Sequence, residues 1–209
     1  MTTTSTRRVG FYVDMDSCTG CKACQLACKN KNNLASGLLW RKVVEVQGGD
    51  WIKQGDAWKD NTYVHFLSLS CMHCDRPICV EVCPTKASHK REDGIVSIDA
   101  ELCIGCSYCE MACPYGALKF NEDSRVMTKC DLCKDNVDQG KLPECVSACQ
   151  MRVLEFGDLD EMMEQHGDLV EVFPLPDKAL TRPSVVLKLK KKPVSDDVCD
   201  LVIGNREEL

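Results

Sequence analysis

Apolar and polar positions alternate over short runs along this chain, and no run is long. "RKVVEV" (41–46) and "TYVHFLSLS" (62–70) alternate as strands do, with "QGGDW" (47–51) between them as a turn. "IVSI" (95–98) alternates again behind a turn at Gly94, within "REDGIVSIDAELC". "CPYGALKF" (113–120) aligns with "CQMRVLEF" (149–156), each a cysteine followed by a turn and an apolar, strand-like run, and "CPTKASHK" (83–90) begins the same way. "DLDEMMEQHGDL" (158–169) predicts a capped surface helix ending near Gly167. "PLPDKALTRPSVVLKLKKK" (174–192), with three prolines, predicts an extended arm, apolar enough to lie along a partner. No stretch approaches the ~18 uninterrupted apolar residues that a bilayer span requires.

The elements are short and the punctuation between them is cysteine. The 209 residues contain 17 cysteines, far above ordinary usage, which leaves a disulfide scaffold, metal binding or redox chemistry. Disulfide scaffolds belong mainly to small secreted domains. This chain is mid-sized, its cysteine count is odd, and "MTTTSTRRVGFYVDMDSC" has no apolar signal core.

Sixteen cysteines fall into four groups of four. Cys18, Cys21, Cys24 and Cys28 are spaced C-x2-C-x2-C-x3-C, and so are Cys103, Cys106, Cys109 and Cys113. Cys71, Cys74, Cys79 and Cys83 have four residues in the second gap, and Cys130, Cys133, Cys145 and Cys149 have eleven. Every group begins C-x2-C and ends C-x3-C. Three cysteines in a looping segment converge on one cubane, while the fourth is carried into a following helix and, in two-cluster ferredoxins, ligates the neighbouring cluster. Pro84 and Pro114 complete the C-x3-C-P signature; Lys29 and Gln150 stand where the other two groups would carry it. The fourth group alone would pass for a four-thiolate zinc site. Four thiols within eleven residues, twice over, are tight for one zinc and natural for shared clusters. Spacing alone leaves the second group free to pair with the third, or the third with the fourth.

The hairpins and short helices resemble bacterial ferredoxins. The wider pattern, "GGDW" at 48–51, "CMHCDRPICVEVCP" at 71–84, "HKREDG" at 89–94, "CIGCSYCEMACPYGA" at 103–117 and "MTKCDLC" at 127–133, resembles the four-cluster electron-transfer subunits of the dimethyl sulfoxide reductase family of molybdenum oxidoreductases, to about residue 190. The resemblance implies an α+β fold of two nested ferredoxin-like 2[4Fe-4S] modules with an inserted β-hairpin and an extended C-terminal arm. One module takes residues 1–60 and 125–160, the inserted one 61–124, and 161–209 form a helix and partner-contacting arm. It implies four [4Fe-4S] clusters: one on Cys18, Cys21, Cys24 and Cys149, a second on Cys28, Cys130, Cys133 and Cys145, a third on Cys71, Cys74, Cys79 and Cys113, and a fourth on Cys83, Cys103, Cys106 and Cys109. The first would face a molybdenum bis-pterin catalytic subunit, and the fourth an integral membrane subunit that oxidises quinol. The terminal acceptor implied is dimethyl sulfoxide or another S- or N-oxide, with polysulfide, tetrathionate, arsenate and formate enzymes using similar subunits. A stand-alone polyferredoxin is the rival, separable by whether the chain is stable without a catalytic partner.

No nucleophile-base pair, flavin fingerprint or phosphate loop accompanies the cysteines, so the expectation is electron transfer without substrate chemistry. Sixteen thiolates and four 2+ cores would move the formal charge from -6 to about -14, which argues against nucleic acid. With no signal of its own, the chain is expected to assemble in the cytoplasm and reach a membrane through its partners; "TRR" (6–8) has no apolar run behind it. His73 is expected to make a polar contact beside its neighbouring ligands, and His65, His89 and His166 to be structural. Lys22, Lys29, Lys86, Lys129 and Lys134 lie close enough in sequence to offset cluster charge. Trp40, Trp51 and Trp58 are expected in hairpin or core packing, and Cys199 to be an incidental thiol.

Overall fold

The computed structural model describes residues 8–167, 172–189 and 201–208; Cys199 and the end of the basic arm lie outside them. In chain order the elements are β1 (Val9–Asp14), α1 (Ala23–Lys31), β2 (Lys42–Gly48), β3 (Trp51–Gln54), β4 (Ala57–Asp60) and β5 (Tyr63–Leu69). Next come α2 (Ile78–Glu81), β6 (Ser88–Lys90), β7 (Val96–Ile98), α3 (Tyr108–Ala112), β8 (Lys119–Asn121) and β9 (Val126–Thr128). The chain continues through α4 (Lys134–Val137), α5 (Glu144–Ser147), β10 (Leu154–Asp158), α6 (Leu159–His166), β11 (Val185–Lys188) and β12 (Val202–Ile203). The fold is α+β.

β1 is the central strand of a sheet in the order β10-β1-β11, antiparallel to β10 and parallel to β11. It is apolar on both faces because both are covered. Phe11 and Val13 enter the main core with Leu67, Ile95, Leu132 and Leu187, while Tyr12 on the other face meets Leu159 and Met162 of α6 and Val186 of β11. α6 starts where the Asp158 carboxylate accepts from the N–H groups of Asp160 and Glu161, and stops at Gly167. Gly10 is where β1 runs closest to its neighbours: a Cβ there would stand 2.4 Å from the Ser184 carbonyl oxygen and 2.9 Å from Leu159 Cδ1. Backbone cannot yield as a flexible side chain can. Gly10→Ala is therefore expected to cost about 1–3 kcal/mol and to lower the thermal midpoint of the assembled protein. An unchanged midpoint would mean that β1 and β11 part freely.

Within the segment expected to form an extended arm, Val185–Lys188 is a core strand of this sheet. Val185, Val186 and Leu187 are core residues of β11, and the segment before them is tied down by Asp75 N–H to the Arg182 carbonyl and Ser184 N–H to the Met72 carbonyl. The three prolines end at Pro183, and the run after it is free to pair with the open edge of β1.

β2 and β5 pair antiparallel along their whole length, with β12 on the outer edge of β2. "QGGDW" is not the turn between them. β2 ends at Gly48, and a separate hairpin of β3 and β4 intervenes before β5. In that hairpin Trp51 and Trp58 are exposed, against expectation, because a two-stranded ribbon has no covered face; Trp40 is the packed one, its Nε1–H donating to Thr128 Oγ1 at 3.1 Å. β6–β7 turns at Gly94, as predicted, with φ of 90°. β8–β9 forms the matching hairpin, and Leu118, Met127 and Cys109 make a small core of their own with Phe120 and Ile98 against it. Around these hairpins α1 packs on α5 and α2 on α3.

Candidate iron-sulfur sites

Each cysteine group folds the same way. The second residue inside every opening C-x2-C has positive φ: Gly20 (69°), His73 (42°), Gly105 (68°) and Leu132 (62°). Left-handed residues alternating with ordinary ones turn successive N–H groups to one side of a loop, the concavity that anions and iron-sulfur centres use. Three of these loops carry their strain on side-chain residues, since Lys22, Ser107 and Cys133 are also left-handed and immediately precede α1, α3 and α4. The third cysteine of every group is then the second residue of a helix: Cys24 of α1, Cys79 of α2, Cys109 of α3 and Cys145 of α5. After the fourth cysteine, three groups repeat a left-handed residue at the same offset, Lys86, Gly116 and Arg152, before a strand begins.

The sixteen described cysteines are all free thiols. Cys18, Cys21, Cys24 and Cys149 line one cleft, together with Val43, Ser68, Met151 and Val153. Burial pushes the Cys18 thiol up, and the neighbouring Cys24, Cys149 and Cys21 push the same way. Burial takes Cys28 to about 12, with Cys145 and Cys133 adding to it. Cys130, fully enclosed, is pushed well above the usual thiol range by burial and by Cys28, and Cys133 rises to about 11, chiefly through burial, with Cys145 beside it. Cys74 rises to about 12 through burial and its neighbours Cys71, Cys79 and Cys113. Cys109 rises to about 11 through burial and the thiols of Cys79, Cys103 and Cys106. Cys83 differs: although burial raises it, N–H groups of Ser88, Thr85 and Ala87 and the Thr85 hydroxyl hold it below the usual value. It follows α2, which packs on the helix of Cys109.

Electrostatic influence also reaches from one cysteine group to another: Cys145 acts on Cys24, Cys71 on Cys130, and Cys79 on Cys109.

The surroundings fit an iron-sulfur core. Among the described residues no three His, Cys, Asp or Glu side chains are gathered as closely as one bare ion needs. Cubane ligands stand farther apart than that, at the corners of the core. Three buried side-chain polar atoms have no hydrogen-bond partner among the described residues: Arg41 Nε, His73 Nε2 and Ser88 Oγ. His73 Nδ1 accepts the Val96 N–H at 3.0 Å, so its own proton sits on Nε2. Arg41 Nε and His73 Nε2 are therefore donors; Arg41 lies among cysteine thiols, His73 sits in the chain between Cys71 and Cys74, and Ser88 donates its N–H to Cys83 Sγ at 3.5 Å while its side chain acts on the Cys79 thiol. Buried donors without a protein acceptor are rare, and cluster sulfides and thiolates are acceptors.

The other histidines are structural: His89 bonds the Ala87 carbonyl and Ser97 hydroxyl, His166 stacks on Tyr12, and His65 lies against Tyr63. Among the lysines, Lys22 pairs with Glu208, and Lys29 donates to the Ala35 and Leu38 carbonyls. Lys129 is buried and donates to the Val96 and Cys130 carbonyls. Sequence reasoning missed Arg41, which is 2% exposed and lies among Cys145, Cys130, Cys24 and Cys28. A lone arginine ahead of an apolar strand carries no signal that would have found it.

Comparison with known proteins agrees with this geometry. A 4Fe-4S dicluster domain family matches residues 62–159, and a 4Fe-4S binding domain family matches residues 15–31. The B subunit of the anaerobic dimethyl sulfoxide reductase of Escherichia coli is 49% identical over 183 residues, 88% of this chain and 89% of its own. The B subunit of the polysulfide reductase of Wolinella succinogenes is 35% identical over 187 residues, 89% of this chain and 92% of its own. The thiosulfate reductase electron transfer subunit of Salmonella typhi is 40% identical over 149 residues, 71% of this chain and 74% of its own. Cysteine loops built alike and relatives of matching length together establish that the chain belongs to the 4Fe-4S electron-transfer subunits of the dimethyl sulfoxide reductase family.

Proposed function

We propose that this chain holds four [4Fe-4S] clusters in a line and relays electrons from a membrane subunit that oxidises quinol to a molybdenum bis-pterin catalytic subunit reducing an S- or N-oxide. The ligand sets are Cys18, Cys21, Cys24 and Cys149; Cys28, Cys130, Cys133 and Cys145; Cys71, Cys74, Cys79 and Cys113; and Cys83, Cys103, Cys106 and Cys109. Two ferredoxin-like modules, one nested in the other, present these sets. The observation that carries the reading is that Cys18, Cys21, Cys24 and Cys149, drawn from distant parts of the chain, line one cleft, and the electrostatic influence of Cys145 on Cys24, Cys71 on Cys130 and Cys79 on Cys109 supports the proposed order. When bound, such clusters supply one-electron redox chemistry over a wide range of potentials.

The chain's own residues hold, space and shield. The second set is the driest: Cys28, Cys130, Cys133 and Cys145 are 4–6% exposed. The two ends are open, with Cys21 exposed and Cys103 and Cys106 partly so. Beside each end stand exposed apolar side chains, Leu26 and Met151 at the first, and Leu102, Ile104, Tyr108 and Met111 at the last. Exposed apolar surface at both ends of a line of redox sites is what two docking partners require. Higher identity to a dimethyl sulfoxide reductase subunit than to a polysulfide reductase subunit favours an S- or N-oxide as terminal acceptor.

Iron and acid-labile sulfide analysis of the anaerobically purified complex tests the count. Sixteen irons per chain of this kind are expected, about four per cubane. About eight irons, with zinc making up the remainder, would show that the set containing Cys130 and at least one other have been misread.

A further inference from the structure

Arg41 is a buried cation that pairs with no carboxylate among the described residues. Its Nη1 donates to Ser68 Oγ at 2.9 Å and to the Ser68 carbonyl at 3.4 Å, and its Nη2 donates to Ser70 Oγ at 3.0 Å. The guanidinium carbon lies 4.6 Å from the Phe11 ring centroid, which fixes its plane. Nε is left without a partner. The groups that sustain its charge against burial are the thiols of Cys145, Cys130, Cys24 and Cys28, and no acid stands among them. Three of these belong to the second proposed set and one to the first. Ser68 completes the link: its hydroxyl oxygen accepts from Arg41 and lies 3.3 Å from Cys24 Sγ, so its proton is free to be donated to that sulfur.

An unpaired buried charge is costly and persists only where something of opposite sign compensates it. Carboxylates do not provide this here. A 2+ core with four thiolates carries two net negative charges, and three once an electron is added. A fixed cation at the junction of two such groups favours the form with the extra electron.

We propose that Arg41 is a positioning residue for electron transfer, its buried guanidinium raising the reduction potentials of the first two clusters, the second most. The inference rests on the ligand sets proposed above. The proposed order gives it a role: the residue sits where the line passes from the driest set to the one nearest the catalytic end, and it keeps an electron from being stranded upstream.

EPR-monitored redox titration of the assembled complex, with iron content measured on the same preparation, is the test. Arg41→Gln is expected to keep sixteen irons and to raise the oxidised-to-reduced ratio of the first two clusters at fixed potential about tenfold, equal to about 59 mV for a one-electron couple, with the other two unmoved. Arg41→Lys, which keeps the charge, should hold both potentials near wild type. Unmoved potentials in a fully loaded Arg41→Gln complex overturn the proposal, as does an equal shift in both variants. Should Arg41→Gln lose iron, the lysine variant decides: full iron with wild-type potentials supports a role for charge, and loss of iron in both variants overturns it in favour of shape. A wild-type count of eight irons would instead overturn the ligand sets themselves, so the two failures are distinguishable.

Discussion

Cys106→Ser in an assembled complex is expected to lower quinol-linked turnover about tenfold or more while dye-linked turnover of the same preparation stays within about a factor of two. In the proposed order Cys106 belongs to the set at one end of the line, farthest from the set of Cys18, Cys21, Cys24 and Cys149, and Cys106 itself is partly exposed. On the proposed function a small soluble reductant reaches the catalytic subunit without that end, whereas electrons from quinol must pass through it. Serine supplies a harder, weaker ligand than thiolate, so the variant should also show a three-iron EPR signal on oxidation and one iron fewer per chain. Equal loss of both activities in an intact complex would reverse the order of the line, or would mean that this site supports the catalytic subunit's structure. Unchanged iron with no new signal would remove Cys106 from the ligand set.

What is legible in the sequence is the local part. A C-x2-C turn is a matter of three or four dihedrals, and the third cysteine at the start of a helix follows from the same few residues, so Cys18 to Cys24 and Cys103 to Cys109 read directly. Their partners do not. Cys149 joins Cys18 in one cleft only because β1 pairs with β10 and α1 packs on α5, contacts between segments more than a hundred residues apart. Spacing therefore leaves the pairing open, and resemblance supplies it. β11 is obscured by the prolines before it, since they argue for an arm until β1 is seen to be apolar on both faces and in need of a second neighbour. Trp51 and Trp58 mislead because composition marks an aromatic as packed, while only topology says that β3–β4 has nothing behind it. Arg41 is invisible for the same reason: burial is a tertiary property, and the residues that make it matter lie in three other segments.

The line of cysteines is also part of the core, and removing iron should undo the structure unevenly. Helices α2, α3, α4 and α5 have four or five residues each, far below the length at which a helix stands alone in water. Cys24, Cys28, Cys71, Cys109, Cys130, Cys133, Cys145 and Cys149 are buried among apolar side chains, so the metal cores they are proposed to hold would fill the space that side chains fill elsewhere. The face of the β10-β1-β11 sheet beneath α6 is different, closed by Tyr12, Leu159, Met162 and Val186 without any cysteine. After chelation, hydrogen exchange is expected to accelerate most at the four cysteine loops and their short helices, and least in β1 and β11. The process is linked to pH with a definite sign. Burial in the folded chain pushes Cys28 and Cys74 up to about 12 and Cys79, Cys109 and Cys133 up to about 11, and an exposed thiol titrates at about 8.5, so buried or released all five are protonated near neutrality without iron. Binding iron must expel those protons, and falling pH favours the iron-free form, by about a factor of ten per unit for each thiol involved. Iron retained against a fixed chelator concentration should therefore fall steeply between about pH 8 and pH 6. Retention that does not change with pH, or exchange rates at the cysteine loops that stay the same once iron has gone, would mean that the thiols are not the groups holding the metal and that the loops are folded by side-chain packing alone.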